Sequence, residues 1–200
     1  GAESCVTKVL GCVWDTKNDG FVYKFDKNLF IKIVKECKHR PTKRDQCSTI
    51  ARIFDVIGLI SPFTIRGKIL LQRSWLEGLN WDAEISEKAH KDWMTWLNEI
   101  ENVSKIKITR RFNSIRNLSE CDSVELHTFA DAGGEAFAAV SYLATSVGNQ
   151  KYSNIVMAKA KVTPIRHKSR TVISEMPRLE LCACLIAARL ANVITKHLSH

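Results

Sequence analysis

Two carboxylates stand in surroundings that could give them chemistry. The run from Leu126 to Leu143 carries Asp131 at the end of an apolar stretch, which breaks at Gly133-Gly134 before a second β-prone run begins. That pattern predicts a hairpin with an acid at the end of its first strand. Downstream, Pro177-Arg178-Leu179-Glu180-Leu181 opens a long apolar run. Pro177 suits a first helical position because its missing N–H would have no partner there, which puts Glu180 in the opening turn of a helix. One acid on a strand and one on a helix could share a divalent metal. Taken singly, each is ordinary: aspartates are common at turns, and the helix dipole favours a first-turn glutamate.

The elements that position these acids must come from 200 residues, enough for one large domain or two smaller ones with a buried core. Apolar residues make up 45% and charged residues 26%, which fits a globular chain and excludes a disordered one. Lys and Arg outnumber Asp and Glu by 30 to 21, with an excess on both sides of residue 120. Such an excess favours a polyanionic partner, nucleic acid ahead of an anionic membrane. The seven cysteines (5, 12, 37, 47, 121, 182 and 184) are odd in number and include no Cys-x-x-Cys pair. They read as reduced, mostly buried thiols of an intracellular protein. Cys182 and Cys184 are two apart on an expected helix, so they point to different faces and do not clasp one metal. No signal-peptide pattern is visible, and the longest uncharged apolar run, Leu181 to Ala188, is too short to span a bilayer; no membrane partner is expected. A chain that begins at Gly1 and stops at His200 directly after a helix is expected to be a piece of something longer.

Residues 7–14 and 21–25 read as a hairpin joined through Asn18-Asp19-Gly20. From Ile31 to Arg44, the cations Lys32, Lys35, Lys38, Arg40, Lys43 and Arg44 alternate with Ile33, Val34 and Cys37. Such a tract is either a solvated face or a set of phosphate contacts. Thr42 and Asp45 have capping-box spacing, predicting a helix through Ile50, Ile53 and Phe54 that Gly58 ends. Ser61-Pro62 launches a second helix through Ile65, Ile69, Leu70 and Trp75, with Arg66, Lys68 and Arg73 on its polar side. A third helix spans residues 86–100, with Trp93, Trp96, Leu97 and Ile100 on one core-facing stripe. Polar, aperiodic sequence between Val103 and Asp122, including Arg110, Arg111 and Arg116, marks a linker near residue 115. Strands over 124–131, 136–144 and 153–162 and a helix over 177–198 follow, so the fold class is α/β (α+β).

Read in order, the chain resembles the Pol polyprotein of Bel/Pao-type LTR retrotransposons. The matching blocks are Lys8-Val9-Leu10-Gly11 with Trp14-Asp15, Thr42-Lys43-Arg44, Ile53 through Pro62, Lys68-Ile69-Leu70-Leu71-Gln72 and Trp81-Asp82. They continue with Phe129-Ala130-Asp131-Ala132, Ala158 through Pro164 and Pro177-Arg178-Leu179-Glu180-Leu181. The resemblance implies three regions: the end of a reverse-transcriptase palm over 1–30, a mainly helical thumb and connection over 31–115, and the N-terminal part of a ribonuclease H-like domain over 116–200. Leu10-Gly11 is similar to a primer grip, which holds a primer end by packing. No Tyr-x-Asp-Asp type motif occurs, so this stretch is not expected to polymerise.

The same resemblance implies a partial ribonuclease H sheet of three antiparallel strands then a helix, with Asp131 and Glu180 as two of four metal-binding catalytic acids. Magnesium is the implied cofactor, in a two-metal arrangement in the complete domain. Because the later acids would lie beyond His200, weak or absent metal binding and little cleavage are expected of this piece alone. Gly133 stands where the family usually has Ser, which loosens the turn without removing a ligand. The implied partners are an RNA–DNA hybrid or template-primer duplex, held by Lys32, Lys35, Lys38, Arg40, Lys43, Arg44, Arg66, Lys68 and Arg73, and the remainder of the Pol polyprotein. The implied location is intracellular: cytoplasmic, in virus-like particles, or nuclear. One alternative is a nucleic-acid-binding relic without catalysis. Another is an aspartic peptidase, a label sometimes given to this family region. A retroviral-type peptidase needs Asp-Thr-Gly or Asp-Ser-Gly in a β-rich setting, whereas Asp55-Val56-Ile57-Gly58 falls at the end of an expected helix; Asp55 reads as a helix-terminal or turn residue. His39 and His127 read as a basic-patch member and a strand histidine.

Overall fold

The computed structural model describes residues 6–9, 12–23, 25, 39–109, 118–165 and 176–198. Contacts divide the chain into two compact units, one of Gly1–Val56 with Pro62–Arg110, the other of Ile57–Ser61 with Arg111–His200.

The first unit contains a four-stranded antiparallel sheet, β1 (Val6–Val9), β2 (Cys12–Asp15), β3 (Gly20–Val22) and β4 (Lys107–Thr109), in that order. Residues 7–14, expected as one strand, are two strands that pair with each other, Val9 opposite Cys12. The turn at Thr16–Asp19 is where the Asn-Asp-Gly signal put it. Asp19 takes a left-handed φ of 44° and accepts a hydrogen bond from the Trp14 indole at 3.1 Å. Strand β4 lies in the expected linker; its Ile108 pairs with Phe21.

Helix α1 (Lys43–Ala51) starts with the expected capping box, Thr42 Oγ1 accepting from the Asp45 amide and Asp45 from the Thr42 amide. It ends at Ala51, seven residues before Gly58. The β-branched run Ile50, Ile53, Val56 and Ile57 weakens helical continuation, and Asp55 is drawn off to accept the hydroxyl of buried Tyr23 at 3.1 Å. Helix α2 (Ser61–Leu76) buries Phe63, Thr64, Gly67 and Ser74 in place of the expected Ile65, Ile69, Leu70 and Trp75. The reason is Trp96 of helix α3 (Glu87–Asn98). Its ring stacks on Phe63 with centroids 5.0 Å apart, its Nε1 donates to the Phe63 carbonyl at 2.9 Å, and a Cβ at Gly67 would stand 2.4 Å from it. The predicted stripe on α3 is core: Trp93, Trp96 and Leu97 are at most 1% exposed, and Ile100, in the following short helix α4 (Ile100–Val103), is buried as well.

The second unit is a three-stranded antiparallel sheet of β5 (Ser123–Ala132), β6 (Ala136–Val147) and β7 (Gln150–Val162), followed by α5 (Met176–Leu198). This is the α/β arrangement expected. Strand β6 alternates cleanly: Phe137, Ala139, Ser141, Leu143 and Thr145 are buried. Phe137 and Ala139 join Leu179, Ala183, Ile186 and Leu190 of α5 in one hydrophobic cluster, with Ala132 and Met157 packed against it. The register slips between Ser141 and Tyr142, leaving Val156 as an extra residue in β7. Helix α5 is long and apolar enough to cross a membrane by length and composition, beyond what the short run Leu181 to Ala188 suggested. Its stripe of Leu179, Ala183, Ile186, Leu190 and Ile194 is nonetheless buried, as a core helix requires.

Candidate functional site

Asp131 is the penultimate residue of β5, an edge strand of its sheet, and is exposed. Side chains alternate along a strand, and Ala132 packs against the α5 cluster, so Asp131 lies on the sheet face that α5 does not cover. It shares that face with Glu125, His127 and Phe129, all exposed, and its cross-strand partner is Ala138. His127 Nε2 lies 3.0 Å from Glu125 Oε2, and Phe129 meets Tyr142 edge-on at 6.1 Å.

Glu180 is the fifth residue of α5, one position beyond the opening turn, because the helix starts at Met176 and not at Pro177. Residues three and four apart share a helical row, and on this row Met176, Ala183 and Ala187 pack against the sheet cluster. Glu180 is therefore exposed at the border of the packed face. Asp131 adjoins Ala132 and Glu180 adjoins Leu179, and both neighbours belong to the same cluster. Neither acid has a hydrogen-bond or ion-pair partner among the described residues, and these residues contain no group of three or more His, Cys, Asp or Glu placed to hold a metal. Each carboxylate is a hard oxygen donor of the kind magnesium takes, an ion that keeps several of its waters and binds through one or two carboxylates.

The residues singled out for nucleic-acid contact are placed quite differently. Leu10, Gly11, Lys32, Lys35 and Lys38 lie outside the described residues. Lys43 is 2% exposed, its ammonium 3.9 Å from the Trp75 ring centroid, so it is a packed cation and not a surface contact. Arg40 pairs with Glu84 at 3.3 Å, Arg44 with Asp82 at 2.8 Å, Arg66 with Glu99, and Arg73 with Asp92 at 3.9 Å. Lys68 is exposed with no carboxylate partner among the described residues. The Arg44 guanidinium, by its hydrogen bond and then its charge, holds the Asp82 carboxyl below the usual range and is itself raised by Asp82. The pairing of Asp82, Glu84 and Glu99 with Arg44, Arg40 and Arg66 could not be read from the sequence because the partners lie 38, 44 and 33 residues apart, beyond any local periodicity.

Three further expectations meet the structure here. Of the cysteines described as free thiols, Cys47 and Cys184 are exposed and Cys121 and Cys182 half-buried, so burial is not what characterises them. Asp55, expected as a helix-terminal or turn residue, sits in a loop four residues past the end of α1 and accepts a hydrogen bond from Tyr23. His39 lies 3.4 Å from Glu84, within the same exposed ion-pair group as Arg40.

No curated protein matches the chain. A protein-family model described as the Pao retrotransposon-like RNaseH-like domain matches residues 42–200, taking in α1 through α5. With most of its length under that model, the chain belongs to the Pao retrotransposon-like RNaseH-like domain family.

Proposed function

We propose that this part of a Bel/Pao-type Pol protein binds RNA–DNA hybrid and contributes Asp131 and Glu180 to the hydrolysis of its RNA strand. The observation that carries the reading is the pairing of two exposed, unpartnered acids beside one hydrophobic cluster in a chain of this family. Asp131 faces away from α5 and Glu180 borders the face that α5 packs, so an ion touching both belongs at the open edge of β5. When bound there, magnesium would supply activation of a water and stabilisation of the leaving oxygen. The chain's own part is to hold two carboxylates in place: Asp131 by the β5–β6 ladder, Glu180 by a helix fixed through Leu179 and Ala183. Two carboxylates alone make a weak site, and little cleavage is expected of these residues without further ligands.

In a Pol polypeptide carrying this segment, Asp131→Asn is expected to lower magnesium-dependent cleavage of an RNA–DNA hybrid by at least about a hundredfold, the order lost when a group stabilising transition-state charge is removed. Cleavage that persists unchanged in both Asp131→Asn and Glu180→Gln contradicts the assignment. Hybrid binding rests on the basic excess; among the described cations singled out from the sequence, Lys68 is exposed and could meet a phosphate without displacing a carboxylate.

A further inference from the structure

We propose that Ile57–Ser61 is an intramolecular strap that docks on the open edge of β7, and that Gly58 is the residue that permits the docking. In the order β5-β6-β7, strand β7 has β6 on one side only. Ala158 stands opposite Val140 in the ladder, and its amide turns outward to donate to the Ile57 carbonyl at 2.8 Å. The next residue, Gly58, has φ +78°, and a Cβ built there would lie 1.8 Å from the Ala158 carbonyl oxygen and 3.0 Å from Ser61 Oγ. No side chain fits that approach, and the backbone angle itself is left-handed. The Ser61 amide closes the turn onto the Gly58 carbonyl at 3.1 Å, and Ile60 is 3% exposed. By its contacts this five-residue stretch belongs to the sheet unit, although the sequence on both sides of it belongs to the other.

The physical purpose is edge protection. An open strand edge offers a row of unpaired amides and carbonyls to any other chain, and a short segment docked at Ala158 interrupts that row in its middle. The sheet unit therefore draws an edge partner from about a hundred residues upstream in sequence, and the family match beginning at residue 42 includes it. This inference is independent of the metal assignment, since it concerns the opposite edge of the sheet from Asp131.

The test is residue-resolved amide hydrogen exchange on the whole chain. In the unsubstituted protein the Ala158 amide should be protected; exchange there at the rate of an open edge overturns the proposal outright. Gly58→Ala should speed exchange at Ala158 by about tenfold or more while the β5–β6 amides keep their protection. Gly148→Ala is the control. Gly148 also has a positive φ, of 55°, but a Cβ there meets nothing within 4 Å, so it strains the backbone without touching the strap. Equal exchange at Ala158 in the two variants contradicts the docking. Ala158→Pro decides independently. It removes the outward amide from an edge strand, where proline is tolerated, and should deprotect residues 58–61 while the sheet persists. Unchanged protection there would count against the strap.

Discussion

In the unit that carries α1 to α3, every described arginine singled out for nucleic-acid contact has a carboxylate within 4 Å, and Lys43 is buried against Trp75. In the sheet unit, Asp131 and Glu180 are exposed and have no such partner among the described residues. The packing differs in the same sense. The helical unit closes on Trp93 and Trp96, 0% and 1% exposed, whereas the sheet has α5 on one face and leaves Phe129 59% exposed on the other. Charges that serve a fold are neutralised by partners on neighbouring elements. Exposed charges without such partners remain available to a ligand.

The largest expected effect sharpens the packing side of this contrast. Trp96→Ala removes the ring that Phe63 stacks on and Gly67 accommodates, and should cost about 3–5 kcal/mol in chemical denaturation. Gly67→Ala places a methyl group against the same ring and should cost about 1–3 kcal/mol. Asp131→Asn and Glu180→Gln, by contrast, should change stability by less than about 0.5 kcal/mol, because neither carboxylate takes part in the described packing or pairing. If either proved as destabilising as Gly67→Ala, the distinction between structural and available charges would break.

The paired charges should show smaller effects. A double-mutant cycle on Arg66 and Glu99, both well exposed, should give a coupling of about 0.2–1 kcal/mol that salt reduces. Lys68→Ala should lower the magnitude of the salt slope of hybrid binding by about 1, while Arg44→Ala, already engaged with Asp82, should change it less. Asp82 has a folded-state pKa below its ordinary 3.8, chiefly through the hydrogen bond from Arg44. Its contribution to stability is therefore fully present above the unfolded value and is lost as pH falls through the folded one. Thermal melts over that acidic window should show a flatter pH dependence for Asp82→Asn than for the unsubstituted chain. Parallel curves would mean the pair contributes nothing to folding.

Local patterns in the sequence foretold the elements with strong periods, caps or compositional runs: the Thr42–Asp45 box, the tryptophan stripe of α3, and the β-prone run and long apolar run that form β6 and α5. What stayed hidden depends on distant partners. The burial of Lys43 requires Trp75, 32 residues away, and the inward turn of α2 is dictated by Trp96 and not by its own apolar residues. Strand β4 reads as polar linker because an edge strand of three residues needs no apolar pattern. For the site, neighbouring residues single out Asp131 and Glu180 as candidates. The sheet face on which Asp131 lies was not legible, since alternation in β5 shows two faces without saying which one α5 will cover.

The central claim, that Asp131 and Glu180 hold one ion at the edge of β5, is tested most directly with manganese as a paramagnetic stand-in for magnesium. Titrated into the isotope-labelled chain, it should broaden the amide resonances around Asp131 and around Glu180 together, and Asp131→Asn should abolish the effect at both. Broadening around Glu180 that survives Asp131→Asn unchanged would contradict the shared site.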